Sequence, residues 1–156
     1  MSRAHSFIIT VSNNKTEREG IDHLVANSRG FFYVDQSTRK LILEALDLPL
    51  TFVRAFDMVY IPRFAGAFVT PEVIETHVDE IILIELKVTK KFLPMSPKGF
   101  FFGATENEFK FGELLGDRFR FCFVCLHPGS ISHVLLSIDE LEKLIRTRRI
   151  QYQINL

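Results

Sequence analysis

Residues 80–91 read EIILIELKVTKK: four consecutive apolar residues, followed by a carboxylate and an ammonium group two positions apart. The run Ile81–Ile84 has no apolar/polar alternation, which predicts a central strand buried on both faces. Successive side chains of a strand project to opposite faces, so Glu85 and Lys87 share one face near its far end. A buried charge costs free energy unless it is paired or binds a metal. The stretch therefore predicts either an ion pair or a metal site.

The composition is that of one globular domain spanning residues 1–156. Hydrophobic residues make up 47% of the chain and charged residues 24%, which excludes a disordered chain. Lys plus Arg and Asp plus Glu both number 19, so any nucleic-acid contact must use a local patch. No apolar run approaches the roughly 20 residues of a membrane span. With two cysteines and no export signal, we expect a cytoplasmic protein without a membrane partner.

Helix-start signals and runs of aromatic and β-branched residues succeed one another along the chain. Segments 16–19, 105–108 and 137–140 have the form of capping boxes, and Ser37 is a further candidate cap. This pattern predicts an α/β fold with a mixed central sheet flanked by helices. Strands are predicted at Phe31–Val34, Phe52–Ile61, Ile81–Thr89, Gly99–Gly103, Arg118–Leu126, His133–Leu136 and Ile150–Asn155.

A metal site at Glu85 needs a second carboxylate, and Asp57 is the candidate. Asp57 leads into an apolar run, and it would lie beside Glu85 if that strand paired with residues 81–89 as a hairpin with a long loop. Aspartate is depleted in strands, so it marks either a functional site or a turn. Asp79 is the rival, but it precedes the buried run and is expected at the opposite end of the strand. Two carboxylates and a lysine would suit metal-dependent phosphodiester hydrolysis.

The Glu-x-Lys pattern is weak alone, because the chain contains it a second time at Glu108-Phe109-Lys110. That copy falls on a predicted helix, where residues two apart do not face each other. Only the strand copy has usable geometry.

Helix, Asp57, then a strand ending in Glu85-Leu86-Lys87, then helix and strand resembles the restriction-endonuclease-like, or PD-(D/E)XK, nuclease superfamily. Its core is αβββαβ, and its Asp, Glu and Lys would fall on Asp57, Glu85 and Lys87, although Phe56 stands where the motif has Pro. More narrowly, segments 85–89, 105–108 and 116–119 resemble the domain of unknown function at the C-terminus of the plant NO VEIN protein. The likeness covers roughly residues 50–126.

The resemblance implies a nuclease of the restriction, repair or defence type, with Mg²⁺ or Mn²⁺ as cofactor and nucleic acid, DNA foremost, as substrate. The implied metal ligands are Asp57, Glu85 and the backbone carbonyl of Leu86, and Lys87 would position the attacking water. Many superfamily members add an acid from the first helix; Glu19 is the candidate, and an ordinary solvated face is the alternative. A homodimer or partner subunit would enlarge the surface of so small a domain.

Basic residues after the proposed site are candidates for binding phosphates, and each could equally belong to a solvated face. They are Lys90, Lys91, Lys98, Arg118 and Arg120.

Two other patterns favour structural roles. Cys122 and Cys125 lie three apart on a predicted strand and so point to opposite faces, which favours buried thiols over a zinc site. The run Phe100–Phe102 indicates a buried strand before it indicates a base-stacking platform. The alternative function is a catalytically inactive nuclease-like fold that binds nucleic acid or protein.

Overall fold

The computed structural model describes residues 3–152 and 154–156, with side chains described from residue 14 onward. Five α-helices and five strands follow one another along this part of the chain. The helices are α1 (Arg3–Asn27), α2 (Gln36–Ala45), α3 (Pro71–Thr76), α4 (Glu106–Leu115) and α5 (Ile138–Glu142). The strands are β1 (Phe31–Tyr33), β2 (Met58–Tyr60), β3 (Ile82–Thr89), β4 (Phe119–Cys125) and β5 (Ser132–Leu136).

The strands form one mixed sheet in the order β1-β2-β3-β4-β5. Only β3 and β4 run parallel; the other neighbouring pairs are antiparallel. β3 is central, and Ile81, Leu83 and Ile84 are completely buried, as the unalternating apolar run predicts. The mixed sheet flanked by helices is thus confirmed.

Each face of the sheet carries its own apolar core. On one face, Leu83 and the phenylalanines of β4 pack with residues of α2 to α5, including Phe111 of α4. On the other, Ile84 and Leu86 pack with Ile21 and Leu24 of α1. Alternate residues of β3 therefore meet different helices, and Glu85 and Lys87 belong by alternation to the α4 face.

The pairing of β2 with β3 brings Asp57, which directly precedes β2, next to the middle of β3. The two strands pair antiparallel, with Met58 opposite Ile84, which confirms the predicted hairpin with a long connection. One residue before β2, the backbone N–H of Asp57 donates to the Ile84 carbonyl at 2.8 Å. The long connection contains α3, whose first turn is capped by the Thr70 hydroxyl.

Capping signals located three of the helices closely. The capping boxes of Thr105 and Ser137 are both formed, and α2 is capped by Asp35 rather than by Ser37. The start predicted at Thr16 is wrong, because α1 already begins at Arg3 and passes through it. A capping-box pattern inside a longer helical run carries no local information that the helix has already begun.

Three strand predictions fail in whole or in part. Of residues 52–61 only Met58–Tyr60 forms a strand, since 3₁₀ and turn structure precede it. Residues 99–103 form no strand, and neither do the described residues of 150–155. Aromatic composition alone indicated these segments, but a strand also needs a backbone partner, and none of the five described strands pairs with them.

Both cysteines are free and buried, as predicted for structural thiols. Within the described ranges, no helix is both long and apolar enough to cross a membrane.

Helix α1 approaches β3 closely at Gly20. A Cβ added there would lie 2.4 Å from Cγ2 of Val88, well inside van der Waals contact. Gly20, Ile21 and Leu24 all point to the sheet, so this close approach sets the rotation of α1 about its axis.

We expect Gly20→Ala to lower the free energy of unfolding by about 1–3 kcal/mol, because overpacking outweighs alanine's better helix propensity. Urea denaturation measures the change. In a Val88→Ala background the added methyl has room, so the same substitution should become neutral or stabilising. An equal loss in both backgrounds would contradict close packing at this position.

Candidate functional site

Asp57, Glu85 and Lys87 meet where β2 begins, beside the middle of β3. The Leu86 backbone N–H donates to Oδ2 of Asp57 at 2.9 Å, so the carboxylate is fixed against the edge of β3. Lys87 Nζ lies 3.5 Å from Oε1 of Glu85, and Glu85 is only 8% exposed. The three residues of the motif are therefore brought together, with their backbones held by sheet pairing.

Glu108 of α4 completes the environment of Lys87. Lys87 Nζ donates to Oε1 of Glu108 at 2.8 Å, a shorter contact than the one to Glu85. The other oxygen, Oε2, accepts from the backbone N–H and the hydroxyl of Thr105 at 3.0 and 2.7 Å, as the glutamate of a capping box does. One buried carboxylate thus caps α4 and anchors the lysine.

Glu108 was not among the site residues predicted from the sequence. The capping box indicated where its carboxylate turns, toward the helix start, but not which strand lies there. Lys110, the other end of the second Glu-x-Lys, pairs with Glu106 at the surface instead.

Burial and like charge strongly perturb the carboxyl groups. Burial raises the pKa of Glu85 to about 10, and the Asp57 carboxylate adds to this against the opposing effect of Lys87. Burial also raises the pKa of Asp57, although the Leu86 N–H bond opposes it. Burial alone would lower the pKa of Lys87, but Glu85 and Glu108 together raise it. The lysine therefore stays protonated, and the carboxyl groups need further protons or a cation.

One oxygen of the cluster lacks a partner. Oε2 of Glu85 is buried and accepts no hydrogen bond from any described residue. Leaving a buried acceptor unsatisfied costs about 1–3 kcal/mol. This oxygen is therefore available to share a proton or to bind a cation, and perturbed groups of this kind cluster at functional sites.

Helix α1 contributes Glu17 to the cluster. Burial and the Asp57 carboxylate raise the pKa of Glu17, and Lys87 and Arg39 oppose the rise, so all four groups interact electrostatically. Glu17 continues the helix face of Gly20, Ile21 and Leu24 at the spacing i, i+3, i+4, i+7. That spacing was the signal available in the sequence.

The predicted helix acid, Glu19, is placed differently. Its carboxylate lies 2.6 Å from Lys90 Nζ, and the two side chains are 37% and 52% exposed. Residues two apart on a helix are separated by about 200° around its axis. With Gly20 against the sheet, Glu17 rather than Glu19 lies close enough to Asp57 for the two carboxyl groups to interact electrostatically.

The predicted phosphate-binding cations divide into two groups. Lys90, Lys91 and Lys98 are exposed in the segment after β3. The Arg118 guanidinium instead donates to the backbone carbonyls of Val78 and Ile81, before the start of β3. Arg120 pairs with Glu140 of α5 at 2.9 Å. The structure thus does not bring the two arginines to Glu85.

The oxygen ligands available to a metal are the Asp57 and Glu85 carboxylates and the Leu86 carbonyl. A strand residue presents its N–H and C=O at the same edge, so the Leu86 carbonyl shares the edge on which Asp57 lies. Among the described residues, no group of three or more His, Cys, Asp or Glu side chains is arranged as a metal-binding set.

Comparison of the chain with protein-family models, with curated proteins and with solved structures finds no match.

The raised pKa of Glu85 predicts how stability depends on pH. Below pH 4.5 this carboxyl group is protonated in both states; above it, the unfolded chain ionises while the folded protein holds the proton until about pH 10. Stability from Glu85 is therefore fully present below pH 4.5 and lost as the pH rises toward 10.

Glu85→Gln removes this titration. Between pH 5 and 9 in EDTA, we expect the Tm of the unsubstituted protein to fall relative to the variant by roughly 5 °C or more. Thermal melts followed by circular dichroism check this, with Glu113→Gln at an exposed position as the control. Parallel pH profiles for the protein and Glu85→Gln would show that Glu85 ionises normally.

Proposed function

We propose that this chain is a divalent-metal-dependent nuclease that hydrolyses phosphodiester bonds, with DNA as the expected substrate. The observation that carries the proposal is the buried cluster itself: Leu86 N–H holds Asp57 at the edge of β3, and Lys87 lies 3.5 Å from Glu85. Membership of the restriction-endonuclease-like superfamily belongs to the same proposal. The order α1, β1, β2, β3, α4, β4 agrees with its αβββαβ core, with α2 and α3 as additions.

The residues present fit Mg²⁺ or Mn²⁺, which prefer carboxylate and carbonyl oxygens. Asp57, Glu85 and the Leu86 carbonyl would hold the ion, and Glu17 would add a further acid. The unpartnered Oε2 of Glu85 is the observation behind this fit. A bound divalent ion supplies Lewis-acid polarisation of the phosphate and stabilises developing negative charge.

Lys87 acts as a cation rather than as a base, because Glu85 and Glu108 keep it protonated. Its ammonium group would orient the attacking water and stabilise charge on the phosphate oxygens. In the step, the water oxygen bonds to phosphorus and gives up one proton to solvent, while the bond to the leaving oxygen breaks and that oxygen takes up a proton from solvent. Glu108 acts as a positioning residue by fixing Nζ at 2.8 Å.

Supercoiled plasmid incubated with Mg²⁺ should be nicked or linearised, and EDTA should prevent this. We expect Asp57→Asn, Glu85→Gln and Lys87→Met each to reduce the rate by at least about 100-fold, as removal of transition-state stabilisation does. Lys110→Met, in the surface copy of Glu-x-Lys, is the matched control and should cleave normally. Cleavage surviving in all three site variants would contradict the assignment.

The helix acids provide a second test. Glu17→Gln should raise the Mg²⁺ concentration needed for half-maximal cleavage about 10-fold, the usual effect of losing a residue that supports metal ligands. Glu19→Gln, two residues away on the same helix, should leave it unchanged. The reverse result would assign the helix carboxylate to Glu19 and contradict the rotation of α1 described above.

A second candidate function is a nuclease-like fold that binds nucleic acid or protein without catalysis. Lys87 favours this function, because its ammonium group already balances part of the negative charge of Glu85 and Glu108 without a metal. This function predicts salt-dependent DNA binding that does not respond to divalent ions and survives Glu85→Gln.

A further inference from the structure

Residues 90–104 join the two halves of the candidate site. They follow β3, which carries Glu85 and Lys87, and end at Thr105, whose N–H and hydroxyl bind Glu108. Both ends of this segment, here called the 90–104 loop, are thus anchored within the cluster.

Two phenylalanines seat the loop next to Lys87. The rings of Phe100 and Phe102 each lie 4.9 Å from the ring of Phe123, centroid to centroid. Phe123 is the register partner of Lys87 across the parallel pair β3 and β4. These two rings therefore hold the segment Phe100–Phe102 over β3 and β4 at the register position of Lys87.

Phe101 points the other way. It lies between two rings that pack on Phe123, and it is itself 89% exposed. Phe92 and Met95 of the same loop are 56% and 67% exposed. An exposed apolar group of this kind, placed beside a functional site, is typical of a binding surface.

Charge identifies the occupant as a polyanion. The 90–104 loop contains no acidic residue, and its Lys91 and Lys98 are exposed, whereas Lys90 pairs with Glu19. Surfaces that bind single strands combine such cations with aromatic rings on which bases stack. A base inside a duplex already stacks on both neighbours and offers no free face to Phe101.

We propose that the 90–104 loop binds single-stranded nucleic acid, with Phe101 stacking on an unpaired base next to Lys87. This inference rests on the proposed nuclease and names its substrate class: nucleic acid that is unpaired where it meets the site. Phe101 is then a specificity-determining residue that selects unpaired over duplex substrate.

The chain contains no tryptophan, so Phe101→Trp creates a single fluorescent reporter at the position where stacking is proposed. We would titrate it in EDTA, where no cleavage occurs, with a single-stranded oligonucleotide and with the duplex of the same sequence. The matched control is Phe68→Trp, which replaces another ring exposed by 78% in the connection between β2 and β3. Saturable quenching of position 101 by the single strand, weaker with duplex and absent at position 68, is expected.

Affinity gives an independent readout by fluorescence anisotropy of a labelled oligonucleotide. Phe101→Ala should weaken single-strand binding about 10-fold, within the range for loss of one base–aromatic stack, and Phe68→Ala should not. Equal quenching at both positions, or unchanged affinity in Phe101→Ala, would overturn the proposal. A change of oligomeric state in Phe101→Ala with no change in affinity would assign the ring to self-association and also overturn it.

These measurements do not depend on catalysis. Quenching at position 101, together with no plasmid cleavage by the protein with Lys87 intact in Mg²⁺, would uphold the binding loop and reject the nuclease. Cleavage of plasmid without quenching at position 101 would uphold the nuclease and reject the loop.

Discussion

The burial of Glu85 in the central strand is the constraint on which the surrounding arrangement depends. Its neighbours Leu83, Ile84 and Leu86 are apolar and buried, and the Glu85 side chain is itself almost completely shielded from water. A charge in this environment needs compensation. Lys87 provides part of it at 3.5 Å, and the raised pKa of Glu85 shows that this part is insufficient. The remaining demand for positive charge makes the cluster suitable for a divalent ion.

The side chain of Glu108 takes part in both a local and a tertiary interaction. Glu108 caps α4 through Thr105, a purely local interaction, and with its second oxygen binds a lysine 21 positions earlier in the chain. Because the cap already restricts the rotamers of Glu108, its pairing with Lys87 costs little additional conformational entropy. A helix start placed against the central strand thereby becomes a rigid support for the cation.

Two packing contacts determine what else surrounds the cluster. The close approach of Gly20 to Val88 sets the rotation of α1 and directs Glu17 toward Asp57. On the opposite face, Phe100 and Phe102 pack on Phe123, the register partner of Lys87, and Phe101 between them is exposed to solvent. Neither contact involves a group of the proposed reaction, yet each decides which side chain faces the place where a substrate would lie. The surface around the site is thus a consequence of the apolar packing beneath it.

Periodicity and capping patterns determined much of this protein by themselves. They predicted the buried central strand, its pairing with the strand after Asp57 and two capping boxes, because these depend on residues close in sequence or on one long apolar run. Only the tertiary structure places Glu17 rather than Glu19 within electrostatic range of Asp57 and pairs Glu108 with Lys87. It also directs Arg118 to the carbonyls before β3 and leaves Phe101 exposed. Those outcomes depend on the rotation and approach of elements packed from distant parts of the chain. Such packing is set by shape complementarity between whole faces, which no local pattern encodes.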